Sequence, residues 1–323
     1  MNPATTAASA QAATGQAAGG GGDAPEVSAV VLSWNRQAML RRCLRALQRQ
    51  HRPPAEVVVV DNGSTDGTER MLAAEFPDVR LIRLSYDTGI DGFNVGALNA
   101  QHELIVLLDD DSELAEDWLR EAVTLLQQES ETTAIITSVV VEAGMPEEVI
   151  AQQRAPTQPY QSSFMGGAAL VRRGVFVETG MYRREFFLFG NERDFAARLL
   201  NRGYRIRLCP TATVFHQRGY GVRLGPESLY YHIRNNIWYV AMYYPAGAIF
   251  RLLGKSALAL VGVRASARGP RRAEVGLQQL LRELRHGRNA WIALCAVGAA
   301  LRGLPRWLRH RAVCRHPDFT TIL

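Results

Sequence analysis

Four short runs rich in Val, Ile and Leu recur at near-even spacing early in the chain, and the first three are each followed by a stretch long enough for a helix. Val27-Ser-Ala-Val-Val-Leu32 leads into Met39, Leu40, Cys43, Leu44 and Leu47 at helical spacing. Glu56-Val-Val-Val-Val60 precedes a helix predicted near 66–75, Val79-Arg-Leu-Ile-Arg-Leu84 precedes one at 92–102, and Leu104-Ile-Val-Leu-Leu108 is the fourth run. Strands this apolar are buried on both faces, and their alternation with helices predicts an α/β fold: a mainly parallel sheet with helices on both faces. Ligands bind beyond the carboxyl ends of such strands. The polar residues collect there, with Ser33-Trp-Asn-Arg36 after the first strand, Asp61-Asn-Gly-Ser-Thr-Asp66 after the second and Asp109-Asp-Asp111 after the fourth. Three clusters at three strand ends predict one site.

Further along, the pattern predicts a strand at 134–141, an irregular stretch at 142–160 and an apolar run at Gly166-Gly-Ala-Ala-Leu-Val171. A helix is predicted from Asn191 to about Gly203, and a longer one from Glu227 to about Tyr243. With 323 residues, 47% of them hydrophobic, the chain can bury one large core and a smaller appendage. The net charge of +6 is uneven, because residues 251–323 hold 14 Lys and Arg against three acids while the first 250 residues are net acidic. The expected organisation is a disordered Ala- and Gly-rich leader at 1–25, lacking the pattern of a signal peptide, an α/β domain at 26–243 and a basic amphipathic helical region at 244–323. In that last region Tyr244–Leu253, Leu277–Leu284 and Ala290–Leu308 combine apolar helical faces with arginines. Such helices either lie on an anionic membrane surface or pack on the preceding domain or a second subunit. No nucleic-acid motif accompanies the basic charge, and no run reaches the roughly 18 to 20 apolar residues of a spanning helix. Cys43, Cys209, Cys295 and Cys314 show no metal-ligand spacing, so reduced thiols are expected, with Cys43 buried, as suits the cytoplasm.

Asp109, Asp110 and Asp111 repel one another unless a cation neutralises them, and Mg²⁺ or Mn²⁺ favours such oxygen ligands. The alternative is that Asp111 or Ser112 caps a helix starting near Leu114, which accounts for one acid and not three. The position of Asp61 after a strand suits acceptance of a hydrogen bond from a nucleobase, while Asp66 suits a cap on the following helix.

Taken in order, Ser33-Trp-Asn-Arg36, Val60-Asp-Asn-Gly-Ser-Thr-Asp66, Gly92-Phe-Asn94, Leu107-Leu-Asp-Asp-Asp111 and Asn191-Glu-Arg-Asp194 resemble the family 2 glycosyltransferases. Within that family the chain looks like the rhamnosyl- and galactofuranosyltransferases. The resemblance covers residues 27–243 and implies the Rossmann-like GT-A fold, with a C-terminal helical region beyond it. It implies a nucleotide-sugar donor held by Ser33, Asn35, Arg36, Asp61, Asn94, Asp109 and Asp110. Asp109 and Asp111 would form an Asp-x-Asp element that binds the diphosphate through Mg²⁺ or Mn²⁺, with His216 completing the metal site. The segment Phe187–Arg198 is similar to a stretch often reading Glu-Asp-x-Asp-Leu-x-x-Arg. Alignment on Asp194 and Arg198 puts Glu192 at the general base of inverting members, with Asn191 replacing the family's first acid. Gly166, Gly167 and Asp194 are expected on the acceptor or donor-sugar side, and Tyr231, Arg234 and Asn235 near the diphosphate or acceptor. The implied acceptor is a hydroxyl of a glycan, lipid-linked or cell-envelope saccharide, handled in the cytoplasm or at the inner face of its membrane. Two rival readings are a sugar-nucleotide nucleotidyltransferase, whose Gly-rich basic loop is missing around Ser33, and an inactive nucleotide-sugar sensor or scaffold, prompted by Asn191.

Overall fold

All four early apolar runs are strands: β1 (Val27–Ser33), β2 (Glu56–Asp61), β3 (Arg80–Arg83) and β4 (Leu104–Asp109). The computed structural model describes residues 25–221, 225–251 and 289–320. All but the last residue of the leader expected at 1–25, and the whole of Leu277–Leu284, lie outside them. The four strands run parallel in the order β3-β2-β1-β4. The sheet then continues through β7 (Ala168–Arg172), β6 (Thr133–Ala143), β8 (Arg205–Gly219) and β5 (Ser112–Leu114). β7 is antiparallel to both β4 and β6, and β5 to β8, so the sheet is parallel over its first half and mixed beyond.

Alternate residues of the central strands feed two cores. Ala29, Val31, Val59, Val106 and Leu108 face α1 (Gln37–Gln48), α2 (Thr68–Glu75) and α4 (Trp118–Gln128). Val30, Val58, Val60, Ile105 and Leu107 face α3 (Asp91–Asn99), α6 (Arg173–Glu178) and α7 (Asn191–Asn201). Cys43 is fully buried in the first core. α3 lies close on the sheet because Gly92 and Gly96, one turn apart, meet Leu32 and Val30, where any Cβ would overlap those side chains.

Two local expectations need correction. Residues 112–114 form β5, paired with β8, and the next helix begins only at Trp118, so neither Asp111 nor Ser112 caps it. The stretch at 142–160 contains a helix, α5 (Glu147–Arg154), whose first turn carries Glu147 and Glu148, as favours a helix N-terminus.

α8 (Pro226–Tyr243) and α9 (Ala290–Arg309) pack on each other beside α7, sharing a core of Phe186, Ala197, Leu200, Trp238, Ala300 and Trp307. Trp238 Nε1 donates to the Ala300 carbonyl at 3.0 Å. Arg205 pairs with Asp318 at 2.7 Å, tying the end of the chain to the sheet. The described part of this basic region therefore packs on the α/β domain. Gly303 makes the approach possible, since a Cβ there would stand 2.8 Å from the Trp238 ring. Gly303→Ala is expected to cost about 1–3 kcal/mol through overpacking, measured by urea unfolding. Unchanged stability would show that α9 is not seated on α8.

Candidate active site

The register of β1 against β4 sets Leu32 beside Asp109, which carries the residues after β1 over the acidic run. Asp110 is buried, and its carboxylate accepts from Ser33 Oγ at 2.8 Å, from the Trp34 amide at 3.4 Å and from Arg36 Nη1 at 3.2 Å. The same Arg36 nitrogen lies 2.8 Å from Asp111 Oδ2. On the other side, His216 Nε2 stands 3.4 Å from Asp111 Oδ1, and His216 Nδ1 is 3.0 Å from Glu142 Oε1. Burial pushes Asp110 up to about 6 against the opposing pull of Arg36 and Ser33. Asp109 is also raised, by burial first and then by the negative charge of Asp111, Asp110 and Glu192. Burial acts to raise Asp111 as well, but His216 and Arg36 together hold it below its ordinary value. His216 rises to about 9, chiefly through its contact with Asp111.

Glu192 enters from the first turn of α7. A Cβ on Gly166 would overlap its carboxylate, and a Cβ on Gly167 would stand 3.0 Å from Ser112 Oγ and 3.4 Å from Asp109 Oδ2. The Gly167 carbonyl accepts from the Asp109 amide at 3.3 Å. The bare backbone of Gly166 and Gly167 thus runs against Glu192 on one side and Asp109 on the other, which is why glycine is required there. Burial raises the Glu192 carboxyl above its usual range. Asp61 lies at the far end of the same rim, with Oδ1 accepting from the Ser64 amide at 3.0 Å and a buried Oδ2 without a hydrogen bond. Asn35 has a positive φ of 52° and joins the two loops, donating its amide to Ser64 Oγ and accepting from Thr65. Asp66 accepts from Thr68 and from the Gln37 amide, so it bridges the same two loops at the start of α2.

Whether Asp109, Asp111 and His216 suit a divalent cation is tested by their donor atoms. Among the described residues no three His, Cys, Asp or Glu side chains are drawn into a ready-made cage. Yet Asp111 Oδ1 is buried and makes no hydrogen bond, and the neighbouring carboxylates are crowded enough to shift one another. Two carboxylates and an imidazole fit Mg²⁺ or Mn²⁺.

Residues 28–188 match the family model described as glycosyl transferase family 2. The chain belongs to that family. It is 29% identical over 219 residues to the O-antigen biosynthesis protein RfbC of Myxococcus xanthus, covering 58% of this chain and 17% of that protein. It is 31% identical over 112 residues to the GalNAc(5)-diNAcBac-PP-undecaprenol beta-1,3-glucosyltransferase of Campylobacter jejuni, covering 33% of this chain and 35% of the relative. The chain thus spans well under half the length of these relatives. Among solved structures it is similar to the mannosyltransferase PcManGT of Pyrobaculum calidifontis in complex with GDP-Man and Mn²⁺, with a TM-score of 0.55, 20% identity, and 87% and 75% of the two chains covered. That likeness shows the GT-A fold.

In this family 2 chain several residues expected at the ligand make contacts that hold the framework. Asn94 spends its amide on Asp91 and on both backbone groups of Tyr182, so it pins α3 to the 182 loop. Asp194 is fully buried, receiving Arg198 at 3.0 and 2.9 Å and Tyr243 Oη at 2.7 Å. It anchors α7. Arg234 and Asn235 turn to the segment before Glu192: Arg234 donates to the Glu185 and Phe186 carbonyls, and Asn235 to those of Phe186, Leu188 and Phe189. Glu142 had no motif to mark it; only the strand register brings it to His216. Asp194→Ala, which strands Arg198 in the interior, is expected to destabilise by about 3–5 kcal/mol in urea unfolding. A loss below about 1 kcal/mol would show that α7 does not depend on this pair.

Proposed function

We propose that this chain transfers a glycosyl unit from a nucleoside-diphospho-sugar to a saccharide or lipid-linked hydroxyl in one inverting displacement. The observation that carries the reading is the approach of Glu192 and Asp109 to the two sides of Gly166 and Gly167, with Asp61 on the same rim. The Glu192 carboxylate takes the proton of the acceptor hydroxyl, whose oxygen then bonds to the anomeric carbon. The anomeric carbon–oxygen bond to the diphosphate breaks, and its electron pair leaves on that oxygen. Asp109, Asp111 and His216 would hold Mg²⁺ or Mn²⁺, which supplies positive charge to the departing diphosphate. Ser33 and Arg36 keep Asp110 in place beside that centre, and Asp61 Oδ2, which has no hydrogen bond and only the more distant Arg83 at 3.8 Å, serves the nucleobase. The Mn²⁺ and GDP-Man of the PcManGT complex support this reading of the donor and cation. Glu192→Gln is expected to lower turnover by at least about a thousandfold while donor binding by calorimetry stays within about threefold. Asp111→Asn, and EDTA on the unaltered protein, should each abolish transfer. Full activity in excess EDTA removes the cation; donor binding without turnover of any acceptor in the unaltered protein leaves the sensor reading.

We further propose that α9, which packs on α8, lies on the inner face of the cytoplasmic membrane. Ala290–Leu301 contains no charged residue, yet only Ala293, Ala296 and Ala300 are buried. Trp291, Leu294 and Leu301 are 74%, 64% and 57% exposed, and the exposed Arg302 and Arg309 follow. An apolar stripe ending in arginines suits a helix lying in an anionic lipid interface. Among the described residues no helix is long and apolar enough to cross a membrane. The undecaprenol-linked substrate in the Campylobacter relative's name supports a lipid-linked acceptor. Trp291→Glu with Leu294→Glu should reduce co-sedimentation with phosphatidylglycerol vesicles by at least about tenfold, since each side chain contributes about 1.5–3 kcal/mol on burial. Unaltered protein that stays in the supernatant at both low and high salt overturns the contact.

A further inference from the structure

We infer that Glu142 is a positioning residue: it fixes the tautomer and orientation of His216 so that Nε2, rather than Nδ1, is offered toward Asp111 as the nitrogen for a divalent cation. The inference rests on the reading of Asp111 and His216 as cation ligands and adds a residue that no motif marks. Its basis is a three-strand ladder. His216 lies on β8 between β6, where Glu142 is its parallel partner, and β5, where Ser112 is its antiparallel partner. Strands in a ladder are about 4.8 Å apart, so Glu142 meets the ring from the β6 side, while Asp111, the residue before Ser112, reaches it from the β5 side. Glu142 Oε1 lies 3.0 Å from Nδ1 within hydrogen-bond geometry, whereas Asp111 Oδ1 lies 3.4 Å from Nε2 and makes no hydrogen bond.

The chemistry follows from the donor inventory. An ionised carboxylate only accepts, so a hydrogen bond between Nδ1 and Glu142 puts a proton on Nδ1. A ligating imidazole has given up one of its two protons, and with the other held on Nδ1 the lone pair is left on Nε2, facing Asp111. Without Glu142, Asp111 would be the remaining acceptor and would draw that proton to Nε2, turning the lone pair away from the site. The ladder keeps Glu142 in register at the last position where it can: β6 and β8 slip by an irregularity between Glu142 and Ala143, and the next pair is Ala143 with Gly219. Both side chains are shielded, with 17% of His216 and 18% of Glu142 exposed, so water competes little for Nδ1. Carboxylates that orient a ligating imidazole in this way commonly change metal affinity by about tenfold to a hundredfold when removed.

The test is Mn²⁺ binding to the full chain without donor or acceptor, followed by loss of the free-ion electron paramagnetic resonance signal. Glu142→Ala is expected to weaken Mn²⁺ by about tenfold to a hundredfold, and Glu142→Gln, whose amide oxygen still accepts from Nδ1, by less than about threefold. In long-range ¹H–¹⁵N spectra of the unaltered protein at saturating Mg²⁺, His216 should show a protonated Nδ1 and an unprotonated Nε2. The opposite tautomer overturns the inference, even if Glu142→Ala fails to fold. So does a Glu142→Ala protein that binds Mn²⁺ as the unaltered chain does while Asp111→Asn and His216→Ala lose it; that result leaves the cation site standing. If Asp111→Asn and His216→Ala also bind normally, the cation site itself is refuted.

Discussion

Three carboxylates at the end of one buried strand have to be compensated, and much of the sheet's layout serves that need. Withdrawal of an unpaired ion from water costs several kcal/mol even after the protein relaxes. Compensation comes from strand register. The pairing of Leu32 with Asp109 carries Ser33 and Arg36 to Asp110, and the pairing of Ser112 with His216 carries the imidazole to Asp111. Among the described residues Asp109 has no ion-pair partner of its own, and burial with the charges of Asp111, Asp110 and Glu192 drives it toward protonation. The site is thus built one positive charge short on its Asp109 side, facing Glu192 across the Gly166–Gly167 backbone.

The carboxylate at 192 depends on a different device. Phe187 and Phe189 adopt positive φ values of 61° and 62°, a conformation that costs an ordinary residue about 1–2 kcal/mol each. The segment stays in place because its surroundings over-determine it. Asn235 takes three of its carbonyls and Arg234 two, the Phe187 carbonyl accepts from the Ile90 amide, and the rings of Phe187 and Phe189 lie against Tyr231 and His232. His232 is kept neutral, lowered to about 4 by burial and by Arg193 and Arg218, so its ring stacks without bringing a charge. α9, seated on α8, backs the helix that supplies this clamp.

What could be read from the sequence, and what could not, divides along the range of the interactions. β1, β2 and β4 were legible because a strand buried on both faces needs no polar alternation, and the run of Val, Ile and Leu reports it locally; β3 departs from that expectation, being an edge strand with Arg80 and Arg83 exposed and only Leu81 and Ile82 half-buried. β5 was not: three residues long, it exists only through β8, about a hundred positions later, and the acids before it imitate a helix cap. Motif order found the residues that gather at the strand ends but not the direction of each side chain. Asp194 shares a motif with Glu192 two residues earlier, yet one points to the rim and the other into the interior, to Tyr243 from α8. Its bond to Arg198 at i+4 was the one local sign of a structural role. Glu142 left no sign at all, since parallel register with a slip beside it cannot be read from spacing.

The departure at Asn191 is intelligible on the same electrostatic grounds. The residue is 1% exposed, and neither amide atom has a hydrogen-bond partner among the described residues. An acid here would add a buried carboxylate beside Glu192 with nothing at hand to receive it. The amide carries its own cost, about 1–3 kcal/mol for each unsatisfied polar group, but that is less than the cost of an unpaired ion. Glu192 is already raised by burial and counts among the groups that raise Asp109, so a further negative charge would drive both toward protonation. A protonated Glu192 cannot take a proton. On the proposed role of Glu192 as the base, Asn in place of the family's first acid keeps the remaining carboxylate closer to its ionised form, so the substitution fits an active enzyme.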